Sequence, residues 1–480
     1  MAFDKKQYKE EMHRASQKQV EEIADYLRDA IKLNSEIRDM RIYNAPTEET
    51  LQRIADTPIP RRGRRVKAVA DELVHDVFET TMLLQHPRFY SFVASAVSPY
   101  SLAGSILTDI YNPHGGSWEI SPAACLIEEK LIQWMGGLAG YPKTCGGIFV
   151  SGGSIANMSA LIAARTARLP EQDYPIGVAY LSDQTHSSVV KGLRMIGFRK
   201  DQIVIIPTDD DFRMRTERLE EAVTRDLAAG KKPFVVIGTI GTTNTGSIDP
   251  LEEIGAIAQK YHLWFHVDGA YGGSILISDI YRNLAKGIEL SDSFSWDTHK
   301  WALQTYSCST LIVKDKSVLL DAFSEHPEYL EDLRQEDHND PWDLGPEMTR
   351  PHRALKLWFT LQAMGTDLLA DVIDYAFFNA KLAEQEFLKR DGWEIVSKPM
   401  CGCLNVRYAP ADRSRRETDL LSKRISERIN ADGFAFIFTT VIKEKRVLRL
   451  CMINGNTEDT DVIETVEYLD RIARELREEL

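Results

Sequence analysis

The chain has 480 residues, 43% hydrophobic and 27% charged, enough to bury a substantial core in two or three domains. Its 58 Lys and Arg against 72 Asp and Glu leave a formal charge of -14, which excludes nucleic acid and anionic membrane as main partners and points to a small molecule. No stretch reaches the roughly 18 apolar residues of a membrane helix, and Met1-Ala2-Phe3-Asp4-Lys5-Lys6 lacks the apolar core of a secretory signal, so a cytoplasmic location is expected.

From Lys5 to about Leu84, apolar residues such as Val20, Ile23, Ala24, Leu27 and Ile31 recur at helical spacing, predicting a helical N-terminal segment over residues 1–85. Pro58, Pro60 and the run Arg61-Arg62-Gly63-Arg64-Arg65 interrupt it as a solvated turn. Over residues 86–358, apolar runs at 147–150, 178–181, 203–206, 234–240, 263–267 and 309–313 alternate with helical patterns. That alternation predicts an α/β domain with a mostly parallel sheet covered by helices. Asp249 as N-cap, Pro250 in the first turn and Glu252 in a capping box mark the start of one of those helices. Residues 359–480 read as a smaller α/β domain, with β-rich runs at 434–442 and 447–453 and a charged helix from about Glu458. The six cysteines are scattered, which predicts buried reduced thiols. No metal site is expected. Cys401-Gly402-Cys403 has no second Cys/His pair nearby, and His262 and His266 on a strand stand about 13 Å apart.

Four polar clusters each follow a strand-like run: Ser151-Gly152-Gly153-Ser154, Asp183-Gln184-Thr185-His186, His266-Val267-Asp268-Gly269-Ala270-Tyr271 and Ser295-Trp296-Asp297-Thr298-His299-Lys300-Trp301. Residues past the carboxyl ends of parallel strands converge on one crevice, so the four clusters can build one site. A lysine following a histidine at a strand end can carry a covalent pyridoxal phosphate, which makes Lys300 the candidate anchor. Asp268 would pair with the pyridine nitrogen and keep it protonated. Ser154 opens an expected helix, 155–168, whose free N–H groups and dipole favour phosphate, while Gly152 and Gly153 permit close approach.

Together with His86-Pro87-Arg88-Phe89-Tyr90, Ser121-Pro122-Ala123 and Gly241-Thr242-Thr243, these clusters resemble the group II pyridoxal-phosphate-dependent amino-acid decarboxylases from about His86 to the C-terminus. The aromatic L-amino-acid branch matches best. Within it, Asn112-Pro113-His114-Gly115-Gly116-Ser117 and Thr349-Arg350-Pro351 are most similar to bacterial tryptophan and phenylalanine decarboxylases. The resemblance implies the fold-type I architecture with a seven-stranded sheet, and a homodimer with sites at the subunit interface and the N-terminal segment against the partner. It implies that His186 stacks on the cofactor and that His299 contacts phosphate or substrate. Gly153, Ser154, Thr243, Ala270, Asp297 and Thr349 would contact the cofactor, Thr243 on the ring-hydroxyl side. Tyr329, in an acidic segment ending near Gly345, would deliver the proton to Cα. A phenylalanine at that position accompanies aldehyde formation in the family, so Tyr329 favours the amine.

Phe92, His114, Trp118, Ile120, Leu330, Leu333 and Trp342 are the substrate-pocket candidates, by their positions in family motifs. Most are apolar or aromatic, which suits an aromatic side chain. Two departures from the animal enzymes bear on substrate: Asp297 replaces their asparagine three residues before the lysine, and Ala94-Ser95 replaces Pro-Thr. The second weakens the case for catechol substrates and leaves tryptophan and phenylalanine preferred. The alternatives are decarboxylation of tyrosine, DOPA or glutamate, an aldehyde synthase, and a catalytically silent relative.

Overall fold

The structure is a computed structural model that describes residues 4–93, 95–325 and 338–479. Three helices open the chain, α1 (Lys5–Leu33), α2 (Glu48–Asp56) and α3 (Val66–Leu73). The arginine run between α2 and α3 is exposed, as a solvated turn requires. Helix α4 (Pro99–Tyr111) begins where Ser98 Oγ accepts from Ser101 N ahead of Pro99, and ends at Asn112 in the left-handed region. Helix α5 (Pro122–Leu138) follows.

The large sheet is then laid down with its covering helices: β1 (Gly146–Val150), α6 (Gly153–Arg168), β2 (Gly177–Ser182), α7 (Ser187–Met195), β3 (Ile203–Ile206), α8 (Thr216–Ala228), β4 (Lys232–Thr239), α9 (Leu251–Tyr261), β5 (Trp264–Asp268), β6 (Ser293–Trp296), β7 (Ser309–Val313) and α10 (Ser317–Phe323). Its seven strands run in the order β1-β7-β6-β5-β4-β2-β3. All neighbours are parallel except those of β7, which is antiparallel to both β1 and β6.

Alternate side chains of each strand serve opposite faces. Val150, Leu181, Val235 and Ile237 join Ala156, Ala160, Ala163 and Ala164 of α6 on one side. Phe149, Tyr180, Val236, Phe265 and Val267 meet α5, α8 and α9 on the other. Burying both faces is what makes these strands read as near-continuous apolar runs.

The remaining elements are α11 (Ala354–Met364), α12 (Thr366–Leu388), β8 (Trp393–Met400), β9 (Cys403–Tyr408), α13 (Arg415–Asp432), β10 (Thr439–Ile442), β11 (Lys445–Cys451) and α14 (Asp459–Glu478). The second sheet is antiparallel throughout, in the order β10-β11-β9-β8. It has its own core of Leu404, Val406, Leu448, Leu450, Ile425 and Val466. The expected division near residue 358 falls inside α11, which packs on α4 so closely that a Cβ on Gly104 would come within 2.9 Å of Lys356 Cα.

Three local expectations are corrected. Asp249 caps no helix: α9 starts after Pro250, and the buried Asp249 carboxylate accepts from Met214 N at 2.7 Å and Thr239 N at 2.9 Å, tying a loop to β4. The N-cap of α6 is Gly152, and Ser154 lies within the first turn. Strands β8 and β9 were not anticipated, and β6 was expected only as the strand end before Lys300, not as an apolar run. Polar Ser293 and Ser295 break the apolar signal of β6, and Glu394, Lys398, Asn405 and Arg407 break that of β8 and β9. All six cysteines are buried.

Candidate active site

The loops after β1, β2, β4, β5 and β6 meet in a cavity of about 310 Å³, within the range of small-molecule sites. Gly153, Ser154, His186, Thr243, Asp268, Ala270, Asp297, His299 and Lys300 all line it, so nine of the ten cofactor-contact expectations converge in one chain. Exposed Thr349 is outside it.

Lys300 Nζ donates to Asp297 Oδ2 at 2.9 Å. Burial disfavours the Lys300 cation, yet Asp297 outweighs it and holds the amine's pKa above its ordinary value. Burial likewise opposes charge on Asp297, and Lys300 and His299 outweigh it, so that carboxyl lies below its usual range. Desolvation pushes the His299 imidazole down. Its Nδ1 lies 3.0 Å from the Cys308 carbonyl, which leaves Nε2 toward Asp297 at 3.8 Å.

Asp268, at the end of β5, is 4% exposed and accepts three hydrogen bonds. Asn157 Nδ2 donates to Oδ2 at 3.0 Å, and Ala270 N and Ser295 Oγ donate to Oδ1 at 3.1 and 3.3 Å. His186 Nδ1 lies 2.8 Å from Ser188 Oγ, and that hydroxyl lies 3.4 Å from Asn157 Nδ2. Gly153 is a cradle: a Cβ there would come 2.8 Å from Asp297 Oδ2 and 3.0 Å from Ala270 Cβ.

A helix N-terminus lined by glycine, a lysine, a buried carboxylate and a flat imidazole around one cavity fit a phosphorylated pyridine aldehyde. Asp297 Oδ1, buried with no hydrogen-bond partner among the described residues, is a further acceptor in the same wall.

The substrate candidates lie apart from this cavity. Phe92, 54% exposed and in the left-handed region, packs edge-on to Phe438. Both rings line a neighbouring cavity of about 510 Å³ that shares Thr243 with the lysine's. His114 and Trp342 meet edge-on, while Trp118 stacks on His338 at 3.7 Å and its backbone N–H donates to Asp340 Oδ1. Ile120 is exposed. None of these lines the lysine's cavity. Tyr329, Leu330 and Leu333 lie outside the described residues.

Asn157 also lines the site and was not singled out from sequence, and Ser188 and Tyr271 line it without having been assigned a role. For Asn157 the available signal was an amide on the otherwise apolar face Ala156-Ala160-Ala163-Ala164 of α6.

The profile of the pyridoxal-dependent decarboxylase conserved domain matches residues 49–409. An aromatic-L-amino-acid decarboxylase of Bacillus atrophaeus is 31% identical over 470 residues, 97% of this chain and 96% of that one. A cysteine sulfinic acid decarboxylase of Mus musculus is 32% identical over 421 residues, 85% of this chain and 82% of the other. The crystal structure of Oryza sativa TDC with PLP and tryptamine superposes with a TM-score of 0.88 at 26% identity, covering 99% of each chain. By the family match over most of its length and its identity to these relatives, the chain belongs to the pyridoxal-dependent decarboxylase family and is a pyridoxal-phosphate-dependent amino-acid decarboxylase.

Proposed function

We propose that the enzyme decarboxylates aromatic L-amino acids, with tryptophan and phenylalanine preferred, to the arylalkylamine and CO2. The observation that carries this is the aromatic wall of Phe92 and Phe438 in a cavity that adjoins the lysine's, the two sharing Thr243 as a lining residue.

Pyridoxal phosphate, when bound, would supply the electron sink for the pair left when the Cα–carboxylate bond breaks. The protein supplies the rest. Lys300 anchors the cofactor through its amine, which must first lose a proton, and Asp297 is positioned to hold that charge until then. The first turn of α6, from Gly153 and Ser154, holds phosphate. Asp268 would pair with the ring nitrogen, His186 would stack on the ring and Thr243 would face its hydroxyl side. CO2 leaves from Cα, and Tyr329 Oη delivers the proton that takes its place.

A homodimer completes the proposed site. Val20, Ile23, Leu27 and Ile31 form a solvent-facing apolar stripe on α1, and Leu107, Ile110, Tyr111, Ile120 and Leu126 are exposed beside the His114–Trp118 loop. Exposed apolar residues in such number support an interface there. A partner packed there would bury it and bring residues such as Thr349 and Trp118 toward the other chain's lysine.

A second reading, an acidic substrate, is favoured by Arg446 and Arg449 beside Phe92. Arg449 Nη2 is buried with no hydrogen-bond partner among the described residues. Amine release from tryptophan, phenylalanine, tyrosine, DOPA, glutamate and cysteine sulfinate, quantified by mass spectrometry, separates the two. Tryptamine or phenethylamine is the expected product; product from the acidic substrates alone refutes the aromatic assignment.

A further inference from the structure

Behind Asp268 the side chains form a continuous line of hydrogen bonds. Trp264, His266 and Asp268 alternate along β5 and so face α6 together, whereas Phe265 and Val267 face the opposite core. Trp264 Nε1 donates to Ser293 Oγ at 2.9 Å, and Ser293 Oγ lies 2.9 Å from His266 Nδ1. His266 Nε2 lies 3.0 Å from Asn157 Oδ1, and Asn157 Nδ2 donates to Asp268 Oδ2 at 3.0 Å. All five side chains are buried.

An ionised Asp268 fixes the protons in this line, because its Oδ2 can only accept and so takes the N–H end of the Asn157 amide. An indole N–H can only donate, so the Ser293 oxygen accepts from it, and the Ser293 hydrogen is free to go to His266 Nδ1. The imidazole then carries its single proton on Nε2, which requires the carbonyl end of the Asn157 amide to face it. The amide's N–H end is thereby turned to the carboxylate. Reversing the amide would set oxygen against Asp268 oxygen. Burial pushes the His266 pKa down to about 4, so the ring stays neutral and single-protonated at working pH.

We propose that His266 is a positioning residue for the decarboxylase: a neutral relay that locks the Asn157 amide and so aims the Asp268 carboxylate at the cofactor's ring nitrogen, a role that rests on Asp268 being that nitrogen's partner. Nothing in the relay carries net charge, so it orients Asp268 without competing with the ring nitrogen for its negative charge.

The test measures binding of pyridoxal phosphate and of its carbocyclic analogue, with carbon in place of the ring nitrogen, to the full chain stripped of cofactor. Wild type is expected to prefer pyridoxal phosphate, and Asp268→Ala to abolish the preference. His266→Leu and Asn157→Leu are expected to reduce it roughly ten- to hundredfold, the scale of a lost hydrogen bond to a charged group, with binding of the analogue little changed. His266→Gln, which keeps a donor toward Asn157, is expected to restore most of it. If Asp268→Ala retains the preference, the ring-nitrogen role of Asp268 fails. If Asp268→Ala loses it while His266→Leu keeps it, or His266→Leu weakens both ligands equally, the relay is overturned. Should His266→Leu not fold, nitrogen-15 NMR of the wild-type imidazole decides: protonation at Nε2 alone supports the relay, and at Nδ1 overturns it.

Discussion

Asp297→Asn removes the charge that holds the proton on Lys300 and leaves the site's shape nearly unchanged. The carboxylate is 2% exposed, and its Oδ2 makes the 2.9 Å contact with Nζ. An asparagine oxygen can still accept, but as a neutral partner. The bond to the ammonium still involves one charge, so what is lost is the opposite charge beside it, roughly 1–2 kcal/mol at the low end of the shift that such a neighbour gives. Burial, which disfavours the cation, then acts against less opposition and the amine's pKa falls. Only the neutral amine bonds to an aldehyde, so its fraction at neutral pH rises about 5- to 30-fold. Stopped-flow absorbance of cofactor capture by the stripped enzyme should show that acceleration below the wild-type amine's pKa, and none at high pH where both amines are neutral. Pyridoxal without its phosphate separates this from relief of repulsion between Asp297 and phosphate, because only the lysine route accelerates both aldehydes. Unchanged capture of pyridoxal across the pH range would refute the assignment of Asp297 as the holder of the lysine's proton.

Gly153→Ala is expected to weaken cofactor affinity at least tenfold with an unchanged far-ultraviolet circular dichroism spectrum, since its Cβ would meet Asp297 Oδ2 at 2.8 Å; titration with pyridoxal phosphate checks it. Tyr329→Phe should move product from amine toward aldehyde, with peroxide and ammonia released, and an unchanged amine yield would remove Tyr329 from the protonation step. Arg350→Met strands Glu128, whose carboxylate the buried guanidinium holds at 2.8 Å, and should destabilise the fold by about 3–5 kcal/mol in denaturant unfolding. Combining it with Glu128→Gln should recover most of that loss, because the neutral amide leaves no charge to strand.

The sequence alone determined the class of fold and named most of the residues that line the candidate cofactor cavity. Fully buried parallel strands must be apolar on both faces, so β1, β2, β4 and β5 appear as short apolar runs. The chain leaves each of those strands at the same edge of the sheet, so the polar residues that follow them, from Gly153 to Ala270, were bound to meet. Sequence also carried Lys300, Asp268 and His186, whose chemistry is specific to residue type. Strands whose side chains serve a polar neighbour were hidden: β6 carries Ser293 for His266 and Trp264, and Asn405 on β9 donates to Ser397 and to the Asn244 carbonyl. Asp249 obeyed the local rules of a helix cap, but the backbone N–H groups of Met214 and Thr239, distant in sequence, claimed its carboxylate first. Only the tertiary structure could set Asn157 between His266 and Asp268, because α6 and β5 lie about a hundred residues apart in the chain and a hydrogen bond's direction depends on which groups folding brings face to face.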